Sequence, residues 1–209
     1  MIEVNSFTIG DLATNCYLLK DTSTGDLAVV DPANDEIIDV LKEIKCDFSK
    51  IKYIILTHGH FDHIYGVNSL KKLTNAKVLI SEDEKQCLSD NNINLSTSFL
   101  PPNGMEKIIA DEFLKDGSII NLGKSEIKVM LTPGHTAGSV CLLFEDNIIS
   151  GDTLFCESIG RTDLPTGDMN AILRSLTKLK MIEGNFRVYP GHGRPTTLEH
   201  ERKYNFYMN

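Results

Sequence analysis

Five of the six histidines fall in three short stretches, Thr57-His58-Gly59-His60-Phe61-Asp62-His63, Pro133-Gly134-His135-Thr136 and Gly191-His192-Gly193, and Gly151-Asp152-Thr153 lies between the last two. Imidazole and carboxylate are the ligands that suit zinc, manganese and iron, and seven such groups exceed what one tetrahedral ion can use. The chemistry expected is that of a metal centre with two adjacent ions.

The spacing has a mechanical reason. In an extended segment residues i and i+2 point to the same side, so His58 and His60 can chelate one ion while Gly59 keeps the intervening position small. A turn into a helix near Asp62 then swings Asp62 and His63 towards a second ion, and Asp152, arriving from elsewhere with two oxygens, is able to bridge both. Taken singly, Asp62 would be a helix cap and His135 or His192 a loop histidine bonded to backbone. It is their joint occurrence that points to a metal. His200, the remaining histidine, falls in a final helix and is expected to be an exposed surface residue.

Each ligand cluster follows directly on an apolar strand: Tyr53-Ile54-Ile55-Leu56 precedes His58, Val129-Met130-Leu131 precedes His135, Ile148-Ile149-Ser150 precedes Asp152, and Val188-Tyr189 precedes His192. Loops at strand ends are held by a rigid scaffold, so one edge of a sheet pair can collect all four. The remaining pattern agrees. Strands are expected at 2–9, 16–19, 27–30, 52–56 and 77–80, then at 118–122, 126–131, 140–144, 148–150 and 186–189, with Asp146-Asn147 as a tight hairpin turn. Helical spacing marks Ile37, Ile38, Val40, Leu41 and Ile44 behind an Asn34 cap, a segment from 62 to 73, and Met169, Ile172, Leu173, Leu176 and Leu179. Thr196 with Glu199 reads as a capping box opening the last helix. Residues 81–98 are polar with one helix, and Asn91-Asn92-Ile93-Asn94 and Pro101-Pro102-Asn103-Gly104 mark a long loop; the stretch 81–104 is expected to form a rim or lid over the site. Sheets followed by helices, twice over, predict two sheets packed face to face with helices outside.

The chain has 209 residues, which predicts one domain spanning 1–209. With 41% hydrophobic and 24% charged residues it is neither disordered nor fibrous. Apolar runs such as Val140-Cys141-Leu142-Leu143-Phe144 fall short of the roughly 18 residues of a membrane span, and the start lacks a secretion-signal pattern, so a cytoplasmic enzyme acting on a small molecule is expected, with no membrane partner. A net charge of −8 disfavours nucleic acid, and the longest basic run is Lys71-Lys72. The five cysteines, Cys16, Cys46, Cys87, Cys141 and Cys156, are odd in number and scattered, reading as buried thiols in a reducing compartment. Cys156 follows Asp152 closely enough to face the site.

Thr57-His58-Gly59-His60-Phe61-Asp62-His63 resembles the His-x-His-x-Asp-His motif of the metallo-β-lactamase superfamily, and His135, Asp152 and His192 match its remaining ligand positions in order. The resemblance covers essentially the whole chain and implies an α/β fold, a four-layer αββα sandwich of two mixed sheets with outer helices. Within the superfamily, Gly151-Asp152-Thr153-Leu154-Phe155 and Gly160-Arg161-Thr162-Asp163-Leu164-Pro165 are similar to the short bacterial glyoxalase II-like hydrolases, as is the tail with Glu201-Arg202 and Asn205-Phe206.

That resemblance implies one ion held by His58, His60 and His135, a second by Asp62, His63 and His192, and Asp152 bridging them. The ions are expected to be zinc, with iron or manganese as alternatives. Such a pair presents a bridging hydroxide as nucleophile, and the implied substrate is a thioester of the S-lactoylglutathione type, whose thiolate leaves without a strong general acid. Asp62 and Asp152 are the implied catalytic groups, Asp62 as a proton carrier. Asp31, Thr57, Thr132 and Thr136 are expected to orient the imidazoles. Arg161 is expected to bind a substrate carboxylate. The larger glyoxalase II enzymes carry Lys and Tyr where this chain has Arg161 and Asp163, and add a helical C-terminal region, whereas only 17 residues follow His192 here. The competing readings are an iron-dependent persulfide dioxygenase using His58, His135 and Asp152, and a lactone, β-lactam or other ester hydrolase of the same superfamily.

Overall fold

The computed structural model describes residues 1–100 and 104–209; the expected loop residues Pro101, Pro102 and Asn103 lie outside them. The first sheet is β1 (Ile2–Ile9), β2 (Thr14–Asp21), β3 (Leu27–Val30), β4 (Ile51–Ile55), β5 (Lys77–Ser81) and β6 (Glu112–Leu114), in that spatial order. Its first three strands are antiparallel neighbours and its last four parallel ones. The second sheet runs β14 (Thr196–Thr197), β13 (Arg187–Pro190), β10 (Asn147–Gly151), β9 (Val140–Phe144), β8 (Ser125–Leu131), β7 (Ile119–Leu122), and only the β10 and β13 pair is parallel. A small hairpin, β11 (Leu154–Phe155) with β12 (Ser158–Ile159), follows β10. Both sheets are mixed, as the resemblance implied. The helices are α1 (Glu36–Glu43), α2 (Phe61–Ile64), α3 (Val67–Thr74), α4 (Ser96–Phe99), α5 (Met169–Lys180) and α6 (Leu198–Tyr204).

Side chains alternate across a strand, so a four-layer stack should split neighbouring residues between different cores. It does. Leu18, Val29, Ile54, Val78 and Ile80 pack outward with Ile37, Leu41, Ile64, Val67 and Leu70 of the helices. Tyr17, Leu19, Val30, Ile55 and Leu79 face the other way and meet Val129, Val140, Leu142, Ile149 and Tyr189 of the second sheet. Cys141, Ile148 and Val188 face outward again, against Leu176, Leu179 and Leu198. The result is the expected αββα order, built from period-2 patterning.

The differences from the sequence reading are local. The segment 62–73 is two helices, α2 and α3, and Gly66 at the junction passes so close to the β3–α1 loop that a Cβ there would stand 2.5 Å from the Asn34 carbonyl oxygen. Asn34 does take the Glu36 N–H at 2.8 Å, although α1 itself starts at Glu36 behind Asp35. The β9–β10 turn is Glu145-Asp146, one residue earlier than expected, since Phe144 pairs with Asn147. The cap of α6 is likewise shifted: Thr197 accepts from the His200 N–H, while Thr196 donates to Glu201. Within the polar stretch from residue 81, Ser81, Glu84, Cys87, Leu88, Asn94 and Ser96 are buried and belong to the scaffold, and near its end Phe99, about half exposed, stacks on Phe61. No helix among the described residues is long and apolar enough to cross a membrane.

Candidate metal centre

The strand ends deliver the seven expected ligands to one place. Past the end of β4 the chain bends at Thr57 and His58 and is extended at His60; Phe61 then opens α2, which carries Asp62 and His63. His135 sits in the loop after β8, Asp152 directly after β10, and His192 after β13. Cross-sheet bonds register these loops: Asn15 N–H donates to the Gly191 carbonyl at 2.7 Å, Tyr17 Oη to the Pro190 carbonyl at 2.6 Å, and Val140 N–H to the Thr57 carbonyl at 2.9 Å.

Two donor triads result, His58 with His60 and His135, and Asp62 with His63 and His192; within each, the ligand atoms lie within 4.8 Å of one another. Asp152 reaches both. Its Oδ1 is 3.4 Å from His63 Nε2, and its Oδ2 is 3.5 Å from Nε2 of His135 and of His192. Asp31 also lies within reach of His58 and His63, but its oxygens already accept from Thr57 N–H at 2.8 Å, Thr57 Oγ1 at 2.6 Å and His63 Nδ1 at 2.9 Å. Both its oxygens are thus engaged in fixing Thr57 and His63.

Whether these residues fit cations is decided by where the ring protons go. His63 Nδ1–H is taken by Asp31, His135 Nδ1–H by the Arg161 carbonyl at 2.8 Å, and His192 Nδ1–H by the Leu12 carbonyl at 3.1 Å. Thr57 Oγ1 donates to Asp31, so it is left to accept from His58 Nδ1 at 3.2 Å. In four of the five rings the proton is thus held at Nδ1 and the Nε2 lone pair is left for a Lewis acid. His60 differs in having its Nδ1 turned to the same triad, 2.8 Å from His135 Nε2. In the cluster, His58 Nε2 and Asp152 Oδ1 are buried with no hydrogen-bond partner. Buried polar atoms are rarely left so, and a coordinating ion is one of the few explanations. The donors fit divalent cations.

Electrostatics agree. Burial, together with the rings of His63, His135, His60 and His192, drives the His58 imidazole well below its ordinary range. His60 is pushed down to about 3 by burial and by His135. His63 goes the opposite way: burial opposes its proton, but Asp62, Asp152 and Asp31 outweigh burial and raise it to about 10. For Asp62 burial opposes ionisation, yet His63 and the His192 hydrogen bond hold it below the usual carboxylate range. His192 is raised against burial, chiefly by its bond to Asp62. The carboxylates that favour a proton on His63 would equally favour a metal ion.

Arg161 is found away from the cluster's floor, its guanidinium paired with Asp163 at 2.7 Å on the surface, while its carbonyl fixes the His135 ring. Of the other orienting residues expected, Thr57 acts as described, Thr132 bonds Thr153 at 2.9 Å, and Thr136 bonds Ser139 at 2.7 Å, so these two brace loops without touching an imidazole. Cys156 does not face the cluster. It is half-buried beside His200, which is itself half-buried and bonded to Glu157.

Glu84 was not singled out from sequence, where it reads as one acid in a polar run. Fully buried, it accepts from Gly59 N–H at 2.8 Å, from Gly138 N–H at 2.7 Å and from Cys87 Sγ at 3.3 Å. It therefore ties the His58–His60 loop to the loop behind His135, and the close fit explains Gly59, where a Cβ would stand 2.9 Å from Glu84 Oε2. A Glu84→Gln variant cannot accept both N–H groups, because one terminal atom becomes a donor. It is expected to unfold with about 1–3 kcal/mol less stability and to bind metal more weakly; a denaturant titration equal to that of the parent would show that the two loops do not depend on it.

Comparison with known proteins agrees with this geometry. The family model described as the metallo-beta-lactamase superfamily matches residues 9–192. Hydroxyacylglutathione hydrolase GloC of Haemophilus influenzae is 29% identical over 93% of this chain and 92% of its own. The solved structure of the B3 metallo-beta-lactamase BLEG-1 superposes with a TM-score of 0.90 at 31% identity, covering 99% of this chain and 100% of that one. A di-iron-bound form of TTHA1623 superposes with a TM-score of 0.85 at 27% identity, covering 98% and 100%.

Proposed function

The chain belongs to the metallo-beta-lactamase superfamily, and on that premise we propose that it is a metal-dependent hydrolase acting on thioesters of the S-lactoylglutathione type. The observation that carries this reading is the second triad. Asp62, His63 and His192 converge as closely as His58, His60 and His135 and share Asp152 with them, which suits a pair of cations; a single-iron dioxygenase, using His58, His135 and Asp152, would keep the same seven residues and is separated from this reading by assay. GloC, named for thioester hydrolysis, supports the substrate class.

Divalent cations held by His58, His60 and His135, by Asp62, His63 and His192, and by Asp152 between them would supply Lewis acidity and an acidic water. The protein's own part is orientation and proton handling. Asp31, Thr57, and the carbonyls of Arg161 and Leu12 keep four rings in one tautomer. Asp62, ionised and hydrogen-bonded by Thr14 Oγ1 at 3.1 Å, is placed to take the proton of the attacking water. A leaving thiolate needs no protonation, which suits a site whose other acids are committed to ligands. Beside Asp62 opens a cavity of about 200 Å³ lined by Ile9, Leu12, Phe61, Tyr65 and Phe99, suited to the acyl portion. Arg161, on the His135 side, would meet a carboxylate of the thiol portion if it exchanged its exposed Asp163 partner.

The likeness to BLEG-1 favours a second reading, β-lactam hydrolysis at the same centre. A panel of S-lactoylglutathione, a chromogenic cephalosporin and an acyl-homoserine lactone, run on zinc-, iron- and manganese-loaded protein, separates these. The expected outcome is a kcat/KM for the thioester of about 10⁴ M⁻¹ s⁻¹ or more and far lower values for the others. Rapid oxygen uptake with glutathione persulfide by iron-loaded protein that leaves the thioester intact would overturn it.

A further inference from the structure

Outside this centre, the donor atoms of Cys156, Glu157 and His200 lie within 4.8 Å of one another. Cys156 and Glu157 are the two-residue turn of the β11–β12 hairpin, and His200 lies in α6. The two elements are fastened together at this point. Glu157 N–H donates to Glu201 Oε2 at 2.8 Å, Asn205 Nδ2 to the Ser158 carbonyl at 3.0 Å, and His200 Nε2 stands 2.9 Å from Glu157 Oε1. Glu157 has φ +58°, a left-handed conformation that glycine adopts freely and a glutamate only with strain. The two-residue turn thus sets the Glu157 carboxylate and the Cys156 thiol side by side against His200.

We propose that Cys156, Glu157 and His200 form a separate, mononuclear site for a thiophilic divalent cation of the zinc class, with a fourth position open to water or a small ligand. Cysteine, histidine and carboxylate are each zinc ligands, and thiolate selects against magnesium and calcium. Charge is balanced: a thiolate and a carboxylate neutralise the divalent ion, the imidazole stays neutral, and the thiol proton leaves on binding. Arg187 and Arg194 line the same surface cavity, and an ion neutralised by these two anionic ligands adds no excess positive charge beside them. Arg194 stands 3.9 Å from Glu157 Oε1 with three-quarters of its side chain exposed, a pairing too loose to compete with coordination. All three ligands are reachable from solvent. The hairpin joins Asp152 to Arg161, and its Phe155 ring stands edge-on to His192 with centroids 6.1 Å apart, so an ion here staples the back of the metal centre to α6.

Cobalt substitution distinguishes this site, because the seven donors of the main centre are imidazoles and carboxylates. The cobalt(II)-substituted full chain is expected to show a near-ultraviolet thiolate-to-cobalt charge-transfer band saturating at one equivalent. Cys156→Ser should abolish the band and release one equivalent of metal, His200→Gln should weaken its titration about tenfold or more, and both variants should keep the parent's hydrolytic rate. Cys46→Ser, at the other half-buried cysteine, is the control and should leave the band unchanged. Absence of the band at saturating cobalt, or its persistence in Cys156→Ser, would overturn the proposal whatever the chain hydrolyses.

Discussion

An Asp152→Ala variant is expected to lose most of its bound metal and about a thousandfold in hydrolytic rate, equivalent to about 4 kcal/mol of transition-state stabilisation, while its chelator-stripped form unfolds within about 1 kcal/mol of the stripped parent. The loss of activity follows from placement. Asp152 approaches His63 through one oxygen and His135 and His192 through the other, so it is the group that spans the two triads. The small effect on stability follows from Oδ1, which is buried without a hydrogen-bond donor and therefore carries a desolvation cost in the metal-free fold. Removing the carboxylate relieves that cost and forfeits its attraction to a protonated His63, for which Asp31 and Asp62 remain as counter-charges. The two effects nearly cancel. Metal quantitation and melts in chelator check both halves, and a stripped variant several kcal/mol less stable would mark Asp152 as a structural residue.

That contrast between ligand and scaffold also explains what could be read from the chain. The convergence of the donor side chains was legible because each cluster is contiguous and follows an apolar strand, and the layers were legible because Leu18 and Leu19, or Ile54 and Ile55, must face opposite sides of a pleated strand. Hidden features depend on partners distant in sequence. Nothing in Ser81-Glu82-Asp83-Glu84 marks the fourth residue as the one that is buried between Gly59 and Gly138. The edge strand β6 has three residues and little pattern of its own, and the β11–β12 hairpin sits inside a stretch read as a motif. Cap positions slipped by one residue at α6 because Thr196 and Thr197 are equivalent in type, and only the packing of Leu198 against the second sheet's outer face decides between them. His200 looked like a surface residue for the same reason, its partner Glu157 being supplied by another element.

The second large effect is expected at Asp31, a buried residue that fixes the ring proton of His63 directly and that of His58 through Thr57. The residue follows β3 with φ +50° and is 1% exposed; it accepts from the Thr57 amide, the Thr57 hydroxyl and His63. Asp31→Ala strands all three donors in the interior and puts a Cβ-bearing residue without local hydrogen bonding into the left-handed region, which together should cost about 3–5 kcal/mol. Asp31→Asn is the more informative change. Asparagine tolerates that backbone, and its carbonyl still accepts from the Thr57 amide, so the stability loss should stay near about 1–2 kcal/mol. Its NH₂ group, however, faces His63 Nδ1 and the Thr57 hydroxyl. His63 must then accept at Nδ1 and carry its proton on Nε2, the nitrogen that points at Asp62, Asp152 and His192. Thr57, losing its acceptor, no longer holds its oxygen lone pairs towards His58. Metal affinity should therefore fall about 10–100-fold in a protein that still folds. Competitive chelator titrations beside denaturant melts separate the two quantities; an Asn variant that keeps full affinity would mean that the tautomer of His63 is set by something other than this carboxylate.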